Sequence, residues 1–351
     1  MTGPRRDHTD EKREPRMFDF HVVGGSALRT LIDVSRPEIV ETVRSAYLTH
    51  DAGDSVNPNS YFLRFPEKPD ARIIALPAHL GGDHGVSGIK WIASYPRNIE
   101  RNIPRASATL LLNDYETGYP FACLEASQIS AARTAASAVL GAQELTGGRV
   151  ADRIALVGAG VIARNIAEFL AAQAWSVNRF VVHDREATYA DALTRRVTEL
   201  GYRADREDSF ERAIAEADVV VFATTAPEPW VTRPGVFAPG QTVLNVSLRD
   251  IGPEIVAGAQ NILDDIDHCL TADTSPHLAE QLLGHRDFID GTLAGVLRGE
   301  VTPATDRPRI FSPFGLGVLD LAVGQRLYQQ AVEKGLAVPV PGFFGETRRW
   351  G

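Results

Sequence analysis

RIALVGAGVIARNIAEFL, Arg153 to Leu170, sets the fold class of this chain. Ile154, Ala155, Leu156 and Val157 form an apolar run too brief for a helix and closed by glycine, the pattern of a buried strand. Gly158 and Gly160 follow, and Ala163 takes the third small position of a dinucleotide-binding fingerprint. The first glycine permits a tight turn, the second lets backbone approach a pyrophosphate, and the alanine lets the helix lie close on the strand. Ile162, Ile166, Phe169 and Leu170 recur at helical spacing, so one face of that helix packs on a sheet. Its N-terminal amides and positive dipole end then point at a diphosphate.

Glycines in this pattern are weak evidence alone, because turns need glycine anyway. The context strengthens them. A second strand, RFVVHD, ends at Asp184, about 24 residues beyond Gly160, where an acid meets the ribose hydroxyls of NAD. Asp184 repels a 2'-phosphate and favours NAD over NADP. Arg185 beside it works the other way, since an arginine there accepts that phosphate. The expected cofactor is NAD.

Composition narrows the class. The length of 351 residues predicts about two domains, and 44% hydrophobic with 23% charged residues is ordinary for a globular protein. A net charge of −9 argues against nucleic acid, which needs a basic surface. Cys123 and Cys269 lack metal-ligand spacing and form no disulfide framework, so a reducing compartment fits. The nine histidines are scattered, and no metal is expected. No apolar run nears the ~20 residues of a membrane span, and no signal-peptide core opens the chain. A cytoplasmic protein is the expectation.

Along the chain, Met1–Arg16 reads as a disordered polar tail. A strand follows around Phe18–Val23. Ser35-Arg-Pro-Glu38 predicts a helix start, with Pro37 in the first turn and Gly53 at the end. YFLRF, RIIALPAHL, SGIKWIASY and ATLLLNDYETGYPFACLEA read as strands, the last a hairpin turning near Asp114–Gly118. Alanine-rich Gln128–Leu145 is helical and carries the chain between domains. Helices are expected near Tyr189–Leu200 and Ser209–Ala217, and strands at VVVFAT, TVLNVS and NILDD. Asp273–Arg298 reads as exposed helix, Ile310–Gln330 as a glycine-rich loop leading into a helix, and the end as loop and tail. The fold class is α/β: a Rossmann dinucleotide-binding domain plus a strand-rich α+β domain.

Three residues invite chemistry. Lys90 stands in the apolar strand SGIKWIASY; a buried ammonium needs an anion, although an exposed strand face would also explain it. Arg133 opens RTAASA, where small neighbours leave its guanidinium room to fork onto a carboxylate. A plain surface arginine is an equal alternative. Asp250 ends LNVSLRD, beyond the carboxyl end of a strand, where ligands bind in open α/β sheets. A loop or capping aspartate is just as common there.

Taken together, the GIKWI lysine, the RTAASA arginine, VGAGVIA, the NVSLRD aspartate and the late SPFGLGVLDLAVG segment resemble the ornithine cyclodeaminase/mu-crystallin family. The resemblance runs from about Met17 to Gln330. It implies a substrate-binding and dimerisation domain made of residues 17–133 and 318–351, a Rossmann domain over 134–317, and a homodimer. In the family's terms Lys90 and Arg133 clamp the carboxylate of an amino acid, and Asp250 is the general acid/base. Gly158, Gly160, Val161, Ile162, Asp184, Arg185, Thr134 and the turn Ala223, Thr224, Thr225 are expected along NAD.

The cyclodeaminase pattern itself is not kept. Asn57-Pro58-Asn59-Ser60 stands where that group carries an arginine after proline, and Glu254 where it carries a lysine. NPNSYFLRFP, SGIKWIASYPRNIERNIPRASA, LNDYETGYPFACLEAS and NVSLRDI are more similar to a subfamily that oxidatively cleaves N-(2-amino-2-carboxyethyl)-L-glutamate in 2,3-diaminopropionate biosynthesis, for siderophores and peptide antibiotics. That small-molecule amino-acid conjugate has three carboxylates. Arg64 is the expected further contact, with Arg97, Arg101, Arg105 and Arg249 as candidates. The alternatives are an ornithine cyclodeaminase, a ketimine reductase or alanine dehydrogenase, or a crystallin-like cofactor binder without turnover.

Overall fold

In the computed structural model, which describes residues 18–350, the strands divide into two sheets of eight. The expected tail Met1–Arg16 lies outside the described residues. In the first sheet the order is Val338–Pro339, His21–Val23, Pro120–Glu125, Ala106–Asp114, Val86–Ser94, Lys68–Leu80 and Ser55–Val56, with Tyr61–Phe65 also on Lys68–Leu80. All pairs are antiparallel except His21–Val23 with Pro120–Glu125. Alternation decides the faces: Ala108, Leu110 and Leu112 are buried on one side of Ala106–Asp114, and Thr109 and Leu111 are exposed on the other. Helices Gly25–Asp51, Ala126–Thr146 and Gly317–Glu333 pack together, and Gly317–Glu333 lies on the three central strands.

The second sheet is wholly parallel, as continuous apolar strands predict. Its order is Ala204–Arg206, Ser176–His183, Val150–Val157, Val219–Phe222, Thr242–Asn245, Arg309–Ser312, Gln260–Leu263 and Ile289–Thr292. The chain runs outward from Val150–Val157 to Ala204–Arg206, then crosses back to Val219–Phe222 on the other side. That reversal makes a topological switch point between Val150–Val157 and Val219–Phe222, and a crevice opens beyond their carboxyl ends. Among the described residues no helix is long and apolar enough to cross a membrane, and no group of three His, Cys, Asp or Glu side chains is placed to hold a metal. Both cysteines are free.

Three expectations need correction. The first helix starts at Gly25, ten residues before the expected cap, and runs to Asp51. Leu28, Leu31 and Ile32 are buried and extend its apolar stripe. Packing therefore carries the helix across Pro37, whose missing N–H makes a kink rather than a start. Ser35, non-helical at φ −130°, gives its hydroxyl to Leu31 O at 2.6 Å instead of capping. Asp273–Arg298 is not one exposed helix. It forms helix Ser275–Leu283, edge strand Ile289–Thr292 and helix Leu293–Leu297, with Pro276, Ala279, Leu293 and Ala294 buried. The C-terminal segment is not only loop, for Val338–Pro339 pairs with His21–Val23 and the Phe343 ring stacks on Phe20.

Candidate active site

The site forms where the loops of the parallel sheet meet helix Ala126–Thr146. Gly158, at φ +93°, turns out of Val150–Val157, and a Cβ there would stand 2.5 Å from Ala223 O. Only glycine fits, in both conformation and space. Gly160 precedes helix Val161–Ala172, and a Cβ on it would meet no protein atom within 4 Å. The protein itself therefore does not demand that second glycine, whereas a diphosphate resting on the loop does. Asp184 ends the neighbouring strand and accepts from Ala159 N at 2.7 Å and Glu186 N at 2.9 Å. These residues fit a dinucleotide. Arg185, Val161 and Thr225 are exposed beside the loop ends.

A cleft of about 230 Å³ lies next to this loop. Arg133, Thr134, Ile162, Ala223, Thr224 and Ser247 line it, with Leu248 and the Pro313–Gly315 loop. Gly315 is at φ +92°, and a Cβ there would collide with the Arg133 guanidinium, so glycine makes its room. Asp264 fixes that loop by accepting from Phe314 N at 2.9 Å and Gly315 N at 2.7 Å.

Lys90 resolves to the buried alternative. It is 2% exposed, on the face covered by helix Gly317–Glu333. Its Nζ donates to Asp320 Oδ2 at 2.6 Å and Ser130 Oγ at 3.3 Å. Arg133 Nε donates to the other oxygen, Asp320 Oδ1, at 3.2 Å. One buried carboxylate thus joins the two expected clamp residues. Burial pushes the Lys90 ammonium down to about 8; Asp320 opposes the fall and Arg133 adds to it. Gly88 allows the contact, because a Cβ there would meet Leu111 O and Leu321 on the covering helix.

Asp250 is fully buried. Its Oδ1 accepts from Thr224 Oγ1 at 2.5 Å and Trp230 Nε1 at 2.6 Å, and its Oδ2 accepts from Ser247 Oγ. Thr224 and Ser247 line the cleft while Asp250 does not. The acid therefore stands behind two hydroxyls rather than in contact with Lys90 or Arg133. Arg64 is exposed outside the cleft, over the Phe62 ring. Arg97 pairs with Asp70 in solvent, and Arg101 is exposed. Asn57 bonds His268 Nε2 at 3.0 Å and accepts from Val318 N at 3.3 Å, so it ties segments together.

Asp320, Ser247, Trp230 and Asp264 escaped sequence reading. Asp320 had a usable signal: a lone acid inside the apolar run GVLDLAVG must find a buried partner. The other three have no such mark, being ordinary loop residues until the fold assembles them.

A sequence model of the ornithine cyclodeaminase/mu-crystallin family matches residues 26–335. The chain is 29% identical, over 85% of its length and 91% of the relative's, to N-((2S)-2-amino-2-carboxyethyl)-L-glutamate dehydrogenase of Staphylococcus aureus. Its fold is similar to that of Thermococcus litoralis Delta(1)-pyrroline-2-carboxylate reductase in complex with NADH and L-proline, with TM-score 0.83, 24% identity, and 92% and 100% of the two chains covered. It is also similar to an archaeal alanine dehydrogenase dimer with bound NAD, with TM-score 0.82, 22% identity, and 93% and 100% covered.

Proposed function

Since the chain belongs to the ornithine cyclodeaminase/mu-crystallin family, we propose that it is an NAD-dependent oxidoreductase that cleaves the C–N bond of N-(2-amino-2-carboxyethyl)-L-glutamate. The conjugate, NAD and water give 2-oxoglutarate, 2,3-diaminopropionate, NADH and a proton. The observation that carries this reading is one cleft in which the Arg133 end of the clamp, the Thr224 and Ser247 hydroxyls before Asp250, and Ile162 of the fingerprint helix share a wall.

NAD, when bound, supplies the hydride acceptor for the glutamate Cα. Gly158, Gly160, Val161 and Ile162 hold its diphosphate side, Asp184 its ribose, and Thr134, Ala223, Thr224 and Thr225 its nicotinamide side. Arg133, which lines the cleft, binds the α-carboxylate, and Lys90, buried behind it on Asp320, adds its charge to the clamp. Asp320 engages Arg133 through Nε, so both terminal nitrogens remain to fork onto the substrate. Asp250 takes a proton from the attacking water through Ser247 Oγ or Thr224 Oγ1 and returns it to the departing nitrogen. Such acid/base help contributes about 10²–10⁴-fold.

The proposed substrate domain, 17–133 with 318–351, and the proposed nucleotide domain, 134–317, divide within helix Ala126–Thr146, which supplies Arg133 to one and Thr134 to the other. A homodimer is supported by the sheet face opposite Lys90, where Tyr61, Leu63, Trp91 and Leu111 are exposed. A cytoplasmic setting and a place in siderophore or antibiotic biosynthesis complete the reading. The test is purified protein with NAD and the conjugate, following NADH and 2-oxoglutarate together. Equimolar accumulation supports the proposal, and NADH formed only with alanine redirects it to an alanine dehydrogenase. Ornithine consumed without net NADH marks a cyclodeaminase.

A further inference from the structure

Four arginines gather on the clamp's own side of the antiparallel sheet. Arg64 and Arg72 stand opposite each other across neighbouring strands, and Arg72 in turn pairs with Ser94. Ser94 Oγ accepts from Arg105 Nε at 3.3 Å. Lys90 and Ser94 are four residues apart on one strand and so share a face, about 13 Å apart along it. Arg249 approaches from the other sheet, between cleft-lining Leu248 and Asp250, and donates from Nε to Ala272 O at 3.1 Å.

Among the described residues none of the four meets a carboxylate within ion-pair distance, although Arg97 nearby does. Arg72 Nε is buried without a hydrogen-bond partner. Burial, reinforced by Arg105, Arg249 and Arg64, holds Arg72 below the ordinary arginine range. Exposed Asp273 is the acid that offsets Arg249. Guanidiniums crowded together, three of them half-buried, oppose folding when no carboxylate pairs with them, and their planar forks match carboxylates.

We propose that Arg64, Arg72, Arg105 and Arg249 form a second anion site, beside the Lys90–Arg133 clamp, that takes the further carboxylates of a polycarboxylate amino acid. The inference rests on the proposed substrate reading and explains its selectivity. A substrate clamped by its α-carboxylate extends its remaining carboxylates along the sheet face toward the cluster. Ornithine would bring an ammonium there and be repelled, and alanine would bring nothing.

Two measurements separate this inference from the reading beneath it. Calorimetric titration of the NADH-loaded protein with tricarballylate, against acetate as control, is made on wild type, Arg72→Gln and Arg64→Gln. The expected result is salt-sensitive binding of tricarballylate that weakens about tenfold or more in Arg72→Gln, with NADH affinity unchanged as proof of folding. Exposed Arg64→Gln gives a smaller loss and covers the case in which Arg72→Gln fails to fold. The KM for the conjugate should rise in parallel. No tricarballylate binding to wild type, or equal binding in all three proteins, overturns the anion site. Wild type that binds tricarballylate through Arg72 but leaves the conjugate untouched keeps the site and overturns the substrate reading. Turnover of the conjugate with an unchanged KM in both variants does the reverse.

Discussion

Lys90 and Asp320 form a fully buried ion pair of 2.6 Å, and the second oxygen of Asp320 meets Arg133 Nε at 3.2 Å. Two cations and one anion leave the group net positive, which suits a pocket that receives a carboxylate. Removing the anion leaves both cations uncompensated, and breaking a buried pair costs about 3–5 kcal/mol. Asp320→Asn is expected to lower the urea midpoint by a corresponding amount and to raise the KM for the amino-acid substrate. Wild-type stability in Asp320→Asn would show that the buried pair does not contribute to holding the fold.

Lys90 also predicts a pH profile. With its ammonium pushed down to about 8, Lys90 is charged below that pH and loses its charge above it. The KM for the carboxylate substrate should therefore climb as pH passes about 8. Stability moves the opposite way. An unfolded lysine titrates near 10.4, so between about 8 and 10.4 the unfolded chain holds more protons and stability rises with pH. Asp320, Arg133 and Ser130 are the groups facing Lys90. Lys90→Arg, which keeps its charge, should lose the alkaline rise in KM. A wild-type KM flat to pH 10 would contradict the burial argument.

Asp250→Asn should retain NADH affinity, because the fingerprint loop is untouched, and lose about 10²–10⁴-fold in kcat. The hydroxyl relay adds a sharper expectation. Ser247→Ala and Thr224→Val each leave the carboxylate in place, so each should cost part of that loss, and the double variant should approach Asp250→Asn. Single and double variants with full kcat would mean that Asp250 reaches the substrate without them.

The fingerprint was legible because its parts are local: strand, glycines and helix lie within 18 residues, and glycine has few other reasons to stand at 158. Lys90 was legible only as a dilemma, since an apolar strand does not reveal which face is covered. That depended on helix Gly317–Glu333 returning from more than 200 residues away, and Asp320 came with it. Pro37 misled for the opposite reason. A local start signal was overridden by Leu28, Leu31 and Ile32 packing on the core ahead of it. The position of Asp250 beyond a strand end is legible, but the Thr224 and Ser247 hydroxyls that bond to its carboxylate are announced by no spacing rule.

Asp184 offers a test of cofactor choice. Its carboxylate is held by Ala159 N at 2.7 Å and Glu186 N at 2.9 Å, which fixes it beside the glycine loop while leaving acceptor capacity for a ribose diol. A 2'-phosphate there would meet like charge. Arg185, next to it and exposed, is the cation available once that repulsion is removed. Asp184→Ser should therefore raise the kcat/KM ratio of NADP to NAD by about tenfold or more, worth about 1.4 kcal/mol. Asp184→Ser with Arg185→Ala should lose the gain in NADP use while keeping the weakened NAD use. If the ratio stays at its wild-type value in Asp184→Ser, the acid at the strand end serves the loop alone, and selection between the cofactors lies elsewhere in the crevice.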